Sequence, residues 1–197
     1  MPGRVVAALV ALRGPAVVVA DVLSSLAAHP GLYAFHADAD AWSVLGIGTP
    51  PDERAIYVGK AENTLASRDV AGHFGQRPRG VQSPTGSSTL RRSLAALLAG
   101  SHHFRGMPRN PAKPGHFANF GLSEADDYDL SLWMQLHLRL ALWPHADVAA
   151  LDAIETDVLA TLLPPLNLDK VRTPWRQQVR DARKVLADQA RTWTAEA

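Results

Sequence analysis

Gly31-Leu32-Tyr33-Ala34-Phe35 and Ala55-Ile56-Tyr57-Val58-Gly59 are two short runs rich in β-branched and aromatic residues, each with a tyrosine at its centre. Between them lies a stretch with Gly46, Gly48, Pro50 and Pro51, so both runs read as strands bounded by turn residues. Side chains on a strand alternate between faces, which puts Tyr33 with Phe35 and sets Tyr57 opposite to Ile56 and Val58. If the two strands pair as neighbours, phenols 24 residues apart in the chain approach each other on one side of a sheet.

Working outward, residues 5 to 28 read as helix broken near Gly14-Pro15, and residues 38 to 52 as a loop. After the second strand, Asn63 can cap a helix that runs from Thr64 towards Gly72 and carries Arg68. Residues 76 to 89 form a basic loop, 90 to 98 a helix, and 100 to 115 an irregular segment with three prolines. Residues 127 to 136 look helical. Leu138 to Trp143 then alternates as a third strand would, with one longer helix through residue 142 as the competing reading. Residues 148 to 163 form a helix stopped by Pro164-Pro165. After Thr173-Pro174 a last helix runs towards Trp193, with Trp175, Val179, Ala182 and Leu186 at helical spacing and Gln189 as a lapse. The pattern is α+β: a small three-stranded sheet flanked by helices, with a helical extension over 1–29, a central domain over 30–170 and an amphipathic helix over 171–197 packed on it.

A chain of 197 residues can bury an ample core without staples. It holds no cysteine, which excludes disulfides, zinc–thiolate sites and a cysteine nucleophile and is compatible with a reducing cytoplasm. The apolar run from Val5 to Leu12 follows Arg4, as in a signal peptide, but Arg13 and Asp21 interrupt it. It falls short of the ~20 apolar residues a spanning helix needs and reads as a core-facing helix.

The net charge of +1 hides an uneven layout. Between Arg54 and His116 ten bases oppose only Glu62 and Asp69, a local excess of eight positive charges. From Phe117 to Asp169 nine acids face Arg139 alone. A polyanion can be held by such a local basic face, and Lys60, Arg77, Arg79, Arg91 and Arg92 are its candidate contacts. An ordinary solvated surface has the same composition.

Glu155 falls within the apolar stripe Leu151, Ile154, Val158, Leu159 and Leu162 of the 148–163 helix. A carboxylate there requires a partner, either an arginine or a metal ion, because an unpaired buried charge is costly.

Taken in order, Gly31-Leu32-Tyr33, Ile56-Tyr57-Val58-Gly59-Lys60-Ala61, Arg68, Glu155 and Pro164-Pro165-Leu166-Asn167 resemble the GIY-YIG nuclease family. The second segment is similar to that of bacterial excision-repair incision nucleases, and Asn167 follows Glu155 by twelve residues. The resemblance spans about residues 30 to 170. It implies a small α/β sandwich and metal-assisted hydrolysis of a phosphodiester in DNA, less so in RNA. Glu155 would hold one divalent cation, Mg²⁺ or Mn²⁺. Tyr57 would take the proton from the attacking water, Tyr33 would orient that water, Arg68 would face the phosphate, and Asn167 would support the site, so the four side chains of Tyr33, Tyr57, Arg68 and Glu155 are expected around one cleft.

These residue types suit the chemistry. A hard cation wants oxygen ligands and keeps several waters, and with a guanidinium it stabilises charge on phosphoryl oxygens. A phenol ionises at about pH 10, so forming phenolate at neutrality costs roughly 4 kcal/mol unless nearby cations offset it. His73 stands five residues after Arg68, about 140° off its face in an unbroken helix, and returns only if the helix ends at Gly72. His102, His103 and His116 read as loop histidines. The group Asp126, Asp127 and Asp129 reads as a helix cap and dipole partner, Ser87-Ser88-Thr89 as a cap, and Trp133, Trp143 and Trp175 as core. Two readings rival the nuclease: a catalytically silent nucleic-acid-binding module that keeps the fold, and a structural protein that docks a partner through its last helix.

Overall fold

A computed structural model of the chain describes residues 2–22, 29–48, 54–65, 83–115 and 117–194. At its centre lies β2 (Gly31–Ala37), whose first five residues are all buried. The strand is flanked on both sides, by β4 (Leu138–Pro144) and β3 (Tyr57–Ala61), and both pairings are antiparallel. Glycine at position 31 has a steric reason, since a Cβ there would fall 2.3 Å from the Trp143 carbonyl oxygen across the ladder.

Among the described residues the sheet has four strands rather than the expected three, in the order β1-β4-β2-β3. The extra strand, β1 (Val17–Val18), comes from the segment expected to be helical: α1 ends at Arg13, and a short α2 (Val19–Val22) follows β1. Gly14-Pro15 breaks the helix, and the two valines then pair with Leu140 and Arg139 on the outer edge of β4, whose peptide groups need partners. A second departure lies in the loop after β2, where α3 (Ala39–Val44) forms under an Asp38 cap and buries Ala41 and Trp42. A third lies at the end of the loop expected over 76–89, where α4 (Pro84–Ser87) forms. The third strand is real; α6 (Glu124–His137) ends where β4 begins.

Helices cover both faces. On one, Tyr33, Phe35 and Leu140 pack beneath α3, α5 (Thr89–His102), α6 and α8 (Arg176–Arg191). On the other, Leu32, Ala34, Val58 and Ala141 pack beneath α1 (Pro2–Arg13), through Ala8 and Leu12, and α7 (Val148–Leu162). Each fully buried leucine contributes about 2 kcal/mol from leaving water. Asp38, Ser88, Ser123 and Asp147 cap α3, α5, α6 and α7 through their side chains, each worth about 1 kcal/mol. The lapse at Gln189 has a use, since its Oε1 accepts the Gly106 N–H at 2.8 Å. Among the described residues no helix is long and apolar enough to cross a membrane.

Candidate active site

The two tyrosines meet on one face of the sheet, as their strand positions require. Tyr33 stands opposite Gly59 and Phe35 opposite Tyr57 in the ladder, and the tyrosine ring centroids are 6.3 Å apart. Tyr33 is buried and braced edge-on by Phe35 at 5.8 Å, while Tyr57 is half-buried at the start of β3. Gly59 makes room for this pair: a Cβ there would fall 2.4 Å from Cζ and Oη of Tyr33. The glycine two residues after the second tyrosine is thus the floor on which the first phenol lies.

Asn167 braces the same strand from outside. The Val58 N–H donates to Asn167 Oδ1 at 2.9 Å, and Asn167 Nδ2 donates to the Val58 carbonyl at 2.7 Å. One amide offers both a donor and an acceptor, so it completes the strand edge as another peptide group would. The Leu166 N–H donates to the Ile56 carbonyl at 2.9 Å, continuing the cover over β3.

Glu155 belongs to the other layer. It sits on α7, which packs against Val58 and Leu32, and its side chain is 11% exposed. Lys170 donates to Glu155 Oε2 at 2.7 Å and to Asp152 at 2.8 Å; Lys60 donates to Asp152 at 2.8 Å and pairs with Glu62 at 2.9 Å. The bonds from Lys170 and Lys60 pull the Asp152 carboxyl down to about 2. Bonds to Asp152 and Glu62 hold Lys60 well above its ordinary range. Burial works against the Lys170 charge, and its bonds to Asp152 and Glu155 outweigh that. Lys60, a candidate phosphate contact, is therefore held by acids. The structure brings the phenols together and gathers Lys60 with Glu155, in opposite layers that share strand β3. Arg68, the guanidinium expected in the same cleft, lies outside the described residues.

A model of the GIY-YIG catalytic domain matches residues 47–185. The chain belongs to the GIY-YIG family. The match takes in Tyr57, Glu155 and Asn167 and runs into α8, whereas the Tyr33 strand precedes it. No curated protein and no solved structure matches the chain. Membership of the GIY-YIG family indicates nuclease-type function and an interaction with nucleic acid. Arg68, His73, Arg77 and Arg79 lie outside the described residues.

Two neighbouring arginines of this GIY-YIG domain have opposite environments. Arg91, expected on a phosphate-binding surface, is fully buried. Its guanidinium donates to Asp127 Oδ1 at 3.0 Å, to the Asp127 carbonyl at 2.8 Å, to Thr85 Oγ1 at 3.1 Å and to Ser131 Oγ at 3.0 Å. Asp127 in turn accepts from Ser83 and Thr85. The acid expected at a helix cap is thus the counter-ion of a structural arginine, and Ser123 is the cap. Arg91 faces the interior because α5 presents it to α6. Helical spacing alone could not separate it from Arg92.

Arg92 is buried too, but its neighbours are cations. Burial first, then Arg183 and Arg109, push its guanidinium down to about 10, with Tyr57 acting in the opposite sense. Arg183 is likewise lowered by burial, with Asp169 and Tyr57 favouring its charge and Arg180 opposing it. Sequence reasoning passed over Arg183, although Arg176, Arg180 and Arg183 recur at i, i+4 and i+7, the spacing of one helix face.

The donor set suits a hard cation. Asp152 and Glu155 lie one turn apart on α7 and both bind the Lys170 ammonium, so a positive charge is already accommodated between them. Among the described residues no group of three or more His, Cys, Asp or Glu side chains stands together. A cation held here would keep most of its water, as Mg²⁺ does.

Proposed function

We propose that the protein is a metal-dependent endonuclease that hydrolyses phosphodiester bonds, in DNA rather than RNA. The reading is carried by the Tyr33–Tyr57 pair seated on Gly59 within a GIY-YIG domain. Tyr57 is the group that accepts the proton of the attacking water, and Tyr33, buried and braced, orients it. Arg92 and Arg183 both lie within electrostatic range of Tyr57, on the side of the sheet that carries the phenols. Arg68 is assigned to the phosphate, and Asn167 holds the strand that carries Tyr57. Glu155, with Asp152 beside it, would hold one Mg²⁺ or Mn²⁺, which when bound supplies charge stabilisation at the phosphoryl oxygens. Binding would displace Lys170 from the carboxylate it now occupies.

A second reading, a nucleic-acid-binding module without cleavage, has its own support in the Lys170–Glu155 ion pair, which occupies the carboxylate assigned to the metal. A cleavage assay on plasmid DNA and on RNA with Mg²⁺ separates the two. The nuclease reading expects products from the wild type and a loss of about 10³-fold or more in Glu155→Gln, with the thermal midpoint retained. Undiminished cleavage by Glu155→Gln would refute the metal assignment. Binding without products from the wild type on either substrate would establish the silent module.

A further inference from the structure

We propose that a groove at the end of α1, lined by Arg13, His36, Arg54 and Arg139, binds the phosphate of a nucleotide at a site separate from the tyrosine pair. The proposal rests on the nucleic-acid interaction of the family, not on cleavage. The groove exists because α1 ends where the last row of the sheet begins. Alternation puts His36 on the face that Leu32 and Ala34 present to α1, and the ladder sets Arg139 of β4 opposite it. The helix stops at Arg13, and His36 Nε2 donates to the Leu12 carbonyl at 2.8 Å. Beyond that bond the chain turns through Gly14-Pro15 into β1, and an open groove of about 610 Å³ is left over the His36–Arg139 row. That volume is in the usual range of small-ligand sites.

Every titratable side chain that lines the groove is basic. Asp38, next to its Ala37–Ala39 wall, is turned elsewhere: it accepts from the Ala41 N–H at 2.8 Å as the α3 cap and pairs with His137 Nδ1 at 3.0 Å. Arg139 is fixed by the end of α6, where its Nη1 donates to the Leu136 and Leu138 carbonyls at 3.0 and 3.2 Å. Both bonds use one nitrogen, so Nε and Nη2 keep their N–H groups for a ligand. Neither Arg13 nor Arg139 is paired with a carboxylate among the described residues. Arg54 enters from the segment before β3, its guanidinium 5.8 Å from the centre of the Trp175 ring, and Trp175 meets Trp42 edge-on at 6.3 Å. Trp42, Pro15 and Ala39 add an apolar wall. Guanidinium forks match phosphate oxygens with paired N–H donors, and the apolar wall gives the attached sugar or base a surface to lie on. Two sources carry this chemistry: a free mononucleotide, and a strand that runs on from Tyr57. Arg54 stands three residues before that tyrosine, about 10 Å along an extended chain.

The test titrates the full-length protein, in EDTA, with adenosine monophosphate, with adenosine and with a short fluorescent DNA strand. In the wild type the bound phosphate probe should shift the His36 ring NMR signals saturably, and adenosine should bind about tenfold more weakly than its monophosphate or not at all. Arg13 is exposed, so Arg13→Gln should keep the thermal midpoint while weakening binding about fivefold, the worth of one screened charge contact. Arg4→Gln, on the same helix but outside the groove, should leave binding unchanged. A loss confined to adenosine monophosphate assigns the site to a free mononucleotide. A loss for the strand, with its salt slope lowered by roughly one, assigns it to the strand. The site is overturned by a wild type whose His36 signals move with neither phosphate probe, by adenosine binding as tightly as its monophosphate, by an Arg13→Gln variant that binds both probes as the wild type does, or by an equal loss in Arg4→Gln. Cleavage with Mg²⁺ keeps the two claims apart. An inactive wild type that shows the Arg13 effect removes the nuclease reading and keeps this site; an active one without that effect does the reverse.

Discussion

The two faces of the sheet treat charge in opposite ways. Over α7, Glu62, Lys60, Asp152, Lys170 and Glu155 alternate in sign, each ammonium lying between two carboxylates. Beneath α5 and α8, the charged neighbours of Arg92 are Arg183 and Arg109, and those of Arg183 are Asp169 and Arg180, with Tyr57 beside both. On the α7 face each charge already has a partner, and a cation held by Asp152 and Glu155 would take the place of the Lys170 ammonium. In this domain the second face is also the one with the phenols.

The sharpest way to break the contrast is to remove the Tyr57 hydroxyl. Tyr57→Phe should lower the cleavage rate by about 10²-fold or more, as loss of a general base does, while leaving nucleic-acid affinity nearly intact. A rate within a factor of three of wild type, measured under single-turnover conditions, would move the chemistry away from this face. Gly59→Ala tests the floor of the pair. The added methyl meets the Tyr33 ring at 2.4 Å, so the variant should lose about 1–3 kcal/mol of stability and several degrees of thermal midpoint, with activity reduced at temperatures where it stays folded. An unshifted midpoint would mean that Tyr33 does not lie on Gly59.

The smallest expected effect sharpens the opposite face. Lys170→Ala removes the ammonium that occupies Glu155 and Asp152. The half-saturating Mg²⁺ concentration for cleavage should therefore fall, by about five-fold for one charge of moderate screening. A rise instead would show that Lys170 positions Glu155 for the cation and does not compete with it.

Much of the scaffold was legible from local pattern. The two tyrosine strands, the strand from Leu138 and the helices from Val148 and Arg176 all stand where composition and turn residues put them. The exceptions share one cause. Val17-Val18 becomes a strand because β4 has an open edge, and residues 39–44 become a helix because Trp42 finds a core to enter. Neither the edge nor the core exists until the chain is folded. The site followed the same rule: the phenol pairing follows from strand alternation, whereas the layer that carries Glu155 does not.

By itself the sequence determined most of the element types, the tyrosine pair and the resemblance to the GIY-YIG family, because these depend on residues near one another or on strand parity. Tertiary structure decided which charges are matched. Arg91 and Arg92 are adjacent and chemically identical, yet one turns to the Asp127 carboxylate and the other to the Gly86 carbonyl. A guanidinium's role depends on what the neighbouring helix presents to it, and that is a property of packing, which no single segment of the chain contains.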